Sequence, residues 1–405
     1  MKYELLAPAG DEDKLKVALN FGADAVYFAG KKWGLRAFSA NFEEDELAGN
    51  IAYAHSLGKK AYITVNIQAH NSDFDGLDAY LIQLKKAGAD AIIVSDAGVL
   101  SLARQVVPEL PVHISTQASA SNKHAVKFWA QAGASRVILA RELTVNEIKE
   151  IHEFVPEVEL EVFVHGAMCI AYSGRCLLSN YLVGRDSNRG ACAQCCRWEY
   201  TITEKNRGDQ QFEIQQDERG TYILNSKDLC LVEHLDKLAQ AGVTSFKIEG
   251  RMKSEYYVAN VVNTYRRAVD MLEKGMKQFK QSKDLVTELE KCSHRMFTTG
   301  FVLGANDREN LETSAPIATH EFVAVVLEGA DKDGFVLVEQ RNRFKAGEEL
   351  EVLSPNATHN KTIIVNEMKN EAGNEINDAL LVQQKLWLKT SLPLQPMDML
   401  RKKLA

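Results

Sequence analysis

The sequence predicts an α/β protein: a (β/α)8 TIM-type barrel bearing a cysteine-rich loop, followed by a small C-terminal all-β barrel domain. Three observations carry that prediction. From residue 1 to about 275, short β-branched runs alternate with amphipathic helical segments. A repeated motif follows one plan, in which a helix ends at glycine and the chain turns into a buried strand: FGADAVYF at Phe21, AGADAIIV at Ala87, AGASRVIL at Ala132 and AGVTSFKI at Ala241. Beyond a polar link from Gly304 to Pro316, the pattern changes to short alternating strands. Eight βα units in about 275 residues suit a closed barrel, with an open doubly wound sheet as the rival.

In chain order, the predicted barrel strands are Tyr3–Leu6, Ala25–Ala29, Ala61–Ile67, Ala91–Ser95, Val112–Thr116, Arg136–Ala140, Leu160–Val164 and Ser245–Ile248. The helical segment Asp73–Ala87 shows the spacing that justifies the others: Leu77, Tyr80, Leu81 and Leu84 fall on one face. The barrel is expected over 1–300, with its cysteine-rich loop at 165–200 and a polar insertion at 201–220. A linker at 301–316 and a β domain at 317–405 complete the chain. Within the last, strands are predicted at Phe322–Leu327, Phe335–Glu339, Glu349–Leu353, Lys361–Val365 and Leu386–Lys389.

Composition narrows the function classes. Net charge is −7, so contact with RNA requires a local basic patch rather than a whole-protein field. The opening MKYELLAPAG lacks the form of a signal peptide, and no apolar run approaches the roughly 20 residues of a membrane helix. A cytoplasmic location without membrane contact is therefore expected; homo-oligomerisation is left open. In a reducing compartment, clustered cysteines are ligands or catalysts rather than disulfides.

Five of the seven cysteines, Cys169, Cys176, Cys192, Cys195 and Cys196, lie between Glu161 and Tyr200. Thiolates gathered at a strand end point to a soft-metal or iron–sulfur site. A zinc ribbon pairs two tight knuckles, and Cys169 and Cys176 are too far apart for one. Cys195 and Cys196 are adjacent, so their side chains diverge and the five thiols supply four ligand slots. Cys230 and Cys292 sit in helical patterns and read as core. Arg175, Arg185, Arg189 and Arg197 are interspersed among the loop thiols, where cations offset negative charge.

A barrel's active face lies at its strand C-terminal ends. Here those ends carry Asn66, Asp96, Gln117, Arg141, His165, Glu249 and Arg251, among others. The bland alternative is that strand ends are where solvent begins.

The run EVFVHGAMCIAYSGRCLLS, from Glu161 to Ser179, resembles the signature of the collagenase-like peptidase family. The likeness extends through ELLAPAG, GADAVY, the pattern from Ser115 to Asn122, NSKDL and KIEGR, and so covers nearly the whole chain. Despite the label, family members include oxygen-independent hydroxylases of tRNA wobble uridine, of a ribosomal cytidine and of a ubiquinone precursor. The resemblance implies a 4Fe-4S cluster held by Cys169, Cys176, Cys192 and Cys196, the last two falling on G-x-C-x-x-x-C-R-W, from which Cys195 departs as an extra thiol. It also implies prephenate or a related dicarboxylate as oxygen donor, and the tRNA anticodon loop as partner.

Within that frame, Arg141, Arg175 and Arg251 are candidate anchors for a dicarboxylate, with Glu249 beside Arg251. His165 is a candidate general acid or base. Arg36, Gln117, Tyr172 and Trp198 are candidate substrate contacts; Trp33 and Tyr181 join them as stacking residues. Arg341, Arg343 and Lys345 offer a second RNA contact, or simply a structural turn. Two rival functions stand beside the hydroxylase. A peptidase would lack the G-x-S-x-G and H-E-x-x-H motifs but could use Cys169 with His165. A zinc-bearing RNA-binding protein needs no catalysis.

Overall fold

The structure is a computed structural model describing residues 2–35, 41–169, 171–198, 216–217, 220–221, 226–275, 283–304 and 316–404. Arg36, most of the 201–220 insertion and most of the 301–316 linker lie outside the described residues.

All eight expected barrel strands are present: Glu4–Pro8, Ala25–Phe28, Lys60–Val65, Ala91–Val94, Val112–Ile114, Arg136–Ile138, Glu159–Ala167 and Val243–Ile248. Each pairs in parallel with the next, and the last pairs with both the seventh and the first, through Val243↔Leu160 and Glu4↔Ser245. That closure rules out the open sheet. The helices pack outside with the expected apolar stripes; in Leu77–Lys86, Leu77, Tyr80, Leu81 and Leu84 are the buried residues.

Two features were not visible in the pattern. First, the barrel interior is charged at its base. Arg136 reaches Glu159 at 2.7 Å and Glu161 at 3.1 Å, and also pairs with Glu4; Glu161 in turn takes Lys247 at 2.8 Å. Each buried charge is paired, as burial requires. Second, the seventh strand runs on to Ala167 because a short antiparallel strand, Asp228–Cys230, covers its end. Cys230 is therefore on a strand, not a helix. Gly166, at φ +108°, permits the close approach of strands seven and eight: a Cβ there would stand 2.5 Å from the Glu249 carbonyl oxygen.

The C-terminal part is an eight-stranded antiparallel sheet curled into a half-barrel over its own apolar core. Its last strand in chain order, Met399–Lys403, had no sequence signal as a strand because it reads MLRKK. Arg401 on that strand is fully buried against the barrel. It donates to Glu351 at 2.8 Å, Asn260 at 2.9 Å, Glu288 at 2.6 Å and Asn360 at 2.7 Å, so the barrel helix Glu255–Glu273 and the half-barrel share one guanidinium. Tyr256 stacks on Phe322 across the same junction, with centroids 5.3 Å apart.

A pH dependence follows. Burial holds both His165 and His359 neutral, lowering each pKa to about 3. The unfolded chain takes protons on these histidines below about pH 6.5 while the folded chain does not. Stability is therefore complete above pH 6.5 and falls as pH drops from there toward 3, by up to about 1.4 kcal/mol per pH unit for each histidine. Urea midpoints should be level from pH 7.5 to about 6.5 and decline from there to pH 5; a profile flat throughout would show that neither ring is sealed from water.

Candidate active site

The cysteine loop leaves the end of the seventh strand, folds back over the barrel mouth and is pinned there from three sides. Glu142 accepts both the Ser173 N–H and its hydroxyl at 2.6 Å, which holds Ser173 in a left-handed turn at φ +46°. Arg175 donates to the Gln117 carbonyl at 2.6 Å. Arg189 grips Asp73 with two bonds of 2.6 and 2.7 Å, and this hydrogen bonding keeps the Asp73 carboxyl down at about 2. Inside the loop, Asn188 donates to the Cys176 carbonyl and accepts from its N–H, both at 3.1 Å.

Beneath the loop opens a cavity of about 700 Å³ lined by Cys169, Cys192 and Cys196. Burial pushes the Cys196 thiol up to about 11; the charge of Cys169 adds to this, Arg197 opposes it, and Cys192 and Cys176 contribute further. Cys169, Cys192 and Cys196 thus face one cavity, and Cys176 lies on the same loop without lining it. Cys195 is 1% exposed and belongs to the packed interior of the loop. Cys230 and Cys292 lie elsewhere, pushed by burial to about 12 and 11, and are inert as nucleophiles. Around the cavity stand Arg141, Arg185, Arg197 and Lys253, with Glu249 as the acid facing them. Among the described residues, no group of three or more His, Cys, Asp or Glu side chains is arranged to hold a metal ion as it stands. In a polynuclear cluster, by contrast, each thiolate meets a different iron. Soft donors from one loop, opening on one cation-rimmed cavity, fit such a group by their chemistry.

A second, smaller cavity of about 60 Å³ lies deeper in the mouth, lined by Asn66, Gln117, Lys247 and Arg251 among others. Arg141 and Glu249 line both cavities and form the wall between them. Arg251 donates to the Leu35 carbonyl at 2.9 Å and to Asn41.

The structure therefore brings Arg141, Gln117, Glu249 and Arg251 together, and places Trp198, 44% exposed, at the rim of the larger cavity. Tyr172 is exposed on the loop surface at 51%, and Arg175 serves the loop's anchorage rather than either cavity. His165 needs correction as an acid–base candidate. It is 2% exposed, its ring is packed among Tyr257, Tyr265 and Phe297, and its Nδ1 lies 3.3 Å from the Tyr265 hydroxyl. A ring sealed in that cage stays neutral and exchanges no proton with a substrate in the mouth. Sequence reasoning missed Lys247 and Lys253. Lys247 sits inside KIEGR and Lys253 two residues beyond it, so the motif itself was the signal.

A closed (β/α)8 barrel with a thiol-bearing, cation-rimmed cavity at its C-terminal mouth defines a TIM-barrel protein whose chemistry sits on the customary active face. The chain belongs to peptidase family U32: the family's model matches residues 10–312, and that of its C-terminal domain matches 318–401. It is 42% identical over 99% of its length to the tRNA hydroxylation protein P1 of Bacillus subtilis, covering 95% of that protein. An Escherichia coli relative named for 5-hydroxycytidine synthesis in 23S rRNA is 36% identical over 74% of this chain and 45% of its own. A Porphyromonas gingivalis relative named collagenase is 34% identical over 75% of this chain and 74% of its own.

Proposed function

We propose that the protein is an RNA-modifying enzyme that hydroxylates carbon 5 of the tRNA wobble uridine without dioxygen, using an iron–sulfur cluster and prephenate as oxygen donor. One observation carries the reading: three loop thiols, Cys169, Cys192 and Cys196, line one cavity rimmed by four cations at the barrel mouth, with Cys176 on the same loop. Relatives named for tRNA and rRNA hydroxylation support the reaction class.

Cys169, Cys176, Cys192 and Cys196 would hold a 4Fe-4S cluster, which supplies a route for electrons. The protein's own groups do the rest. Arg141, Lys247 and Arg251 place cationic donors in the small cavity, where a carboxylate of the oxygen donor is gripped. Arg141 and Glu249 hold that donor against the base in the larger cavity, since they line both. Trp198 and Tyr172 offer faces on which the unstacked anticodon bases rest. Arg185 and Arg197 meet phosphates.

A peptidase built on Cys169 and His165 has less support, because the His165 ring is spent on Tyr257, Tyr265 and Phe297 rather than turned to a thiol. Deleting the gene should remove 5-hydroxyuridine from total tRNA nucleosides analysed by mass spectrometry. An unchanged level, in a strain without a second pathway, would overturn the proposal.

A further inference from the structure

The mechanism above grips a carboxylate in the small cavity with cations alone, yet buried hydroxyls line the same space. Thr64 lies on the strand Lys60–Val65, where side chains alternate between faces. Tyr62, two residues earlier, reaches Glu4 inside the barrel at 2.6 Å, so Thr64 points inward as well, one layer nearer the mouth. It is 3% exposed, and its Oγ1 has no hydrogen-bond partner among the described residues. By contrast Thr116, on the wall of the same cavity, gives its hydroxyl to the Leu139 carbonyl at 3.1 Å.

Ser115 is the second hydroxyl with capacity left. It is buried, and its oxygen accepts the Asn66 amide and the Gln117 N–H, both at 3.3 Å. Among the described residues, no acceptor takes its own proton. The cations around this space are each anchored to the protein: Lys247 to Glu161 at 2.8 Å, Arg251 to the Leu35 carbonyl at 2.9 Å and Arg141 to the Ala167 carbonyl at 3.0 Å. They fix a positive field, whereas the hydroxyl protons can rotate toward a guest.

A buried hydroxyl without a partner is costly, so its retention in a packed interior points to a ligand that satisfies it. Among so many donors that ligand must bring acceptors, and an ionised carboxylate brings nothing else. A cavity of about 60 Å³ has room for a few water-sized atoms, a carboxylate rather than a nucleobase. We propose that Thr64 is a binding residue for the oxygen donor, its hydroxyl donating to a carboxylate oxygen seated in the small cavity beside Ser115. This rests on the hydroxylase reading and deepens it, by adding a neutral, directional contact to the cationic anchors.

The test uses the full-length protein purified anaerobically with its iron, and isothermal titration calorimetry with prephenate as the probe. Thr64→Val keeps the shape of the side chain and removes the hydroxyl. It should bind prephenate at least about ten-fold more weakly than the wild type, the usual weight of a hydrogen bond to a charged group. Thr64→Ser, which retains the hydroxyl, should recover most of that loss. Without ligand, Thr64→Val should melt no lower than the wild type, because the deleted hydroxyl had no partner to lose. A folded Thr64→Val protein that binds prephenate as tightly as the wild type would overturn the inference. A ligand-free Thr64→Val protein that melts well below the wild type would also overturn it, since the hydroxyl would then serve the fold, through an ordered water for example. So would a wild type that takes up no prephenate. Loss of the hydroxylase reading itself registers separately, as 5-hydroxyuridine persisting in the deletion strain.

Discussion

Cys192→Ala is expected to lose most of its bound iron and to abolish tRNA hydroxylation while leaving the barrel folded. The Cys192 thiol lies on the cavity wall and accepts the Gln194 N–H at 3.3 Å, a local turn contact whose loss leaves the strands untouched. Iron assay, anaerobic absorbance near 400 nm (roughly, for sulfur-to-iron charge transfer) and nucleoside analysis read the three consequences. Cys292→Ala is the control. Its thiol is buried away from the loop and donates to the Leu289 carbonyl at 3.4 Å, so iron and modification should both persist. Iron lost from Cys292→Ala but kept in Cys192→Ala would move the metal centre elsewhere. A colourless protein that binds zinc and RNA but modifies nothing would instead identify a binding module.

Arg401→Ala should destabilise the protein by about 3–5 kcal/mol, the usual cost of removing one member of a buried ionic network. The guanidinium is 0% exposed and holds Glu288 and Glu351 beside two asparagines. Despite burial, Arg401 and Lys291 hold the Glu288 carboxyl down at about 2. Without Arg401 two carboxylates face each other at the junction with one lysine, Lys291, between them. Urea denaturation at pH 7 measures the loss, and a change below about 1 kcal/mol would place the junction in contact with water. The linkage sign is that of a depressed acid: stability is present above about pH 4.5 and lost as pH falls toward 2.

The legible and illegible parts of the chain divide on physical lines. Leu77, Tyr80, Leu81 and Leu84 revealed their helix because one buried face imposes a 3.6-residue period. Met399–Lys403 escaped notice because its arginine, Arg401, is held inside by Glu288, Glu351 and Asn260, which lie far away in sequence. Glu161 and Lys247, charged residues within predicted strands, pair with each other inside the barrel at 2.8 Å, a contact between strands that the local pattern does not encode.

By itself the sequence determined the eight barrel strands, the C-terminal β sheet and the position of the thiol loop at the end of the seventh strand. Those depend on periodicity and on turn glycines, which act over a few residues. Tertiary structure alone decided that Cys169, Cys192 and Cys196 line one cavity while Cys195 is packed away, that His165 is caged by Tyr257, Tyr265 and Phe297, and that Lys253 faces the cavity. Whether a single polar side chain is paired, sealed or presented depends on partners brought from distant parts of the chain, and no local pattern encodes that meeting.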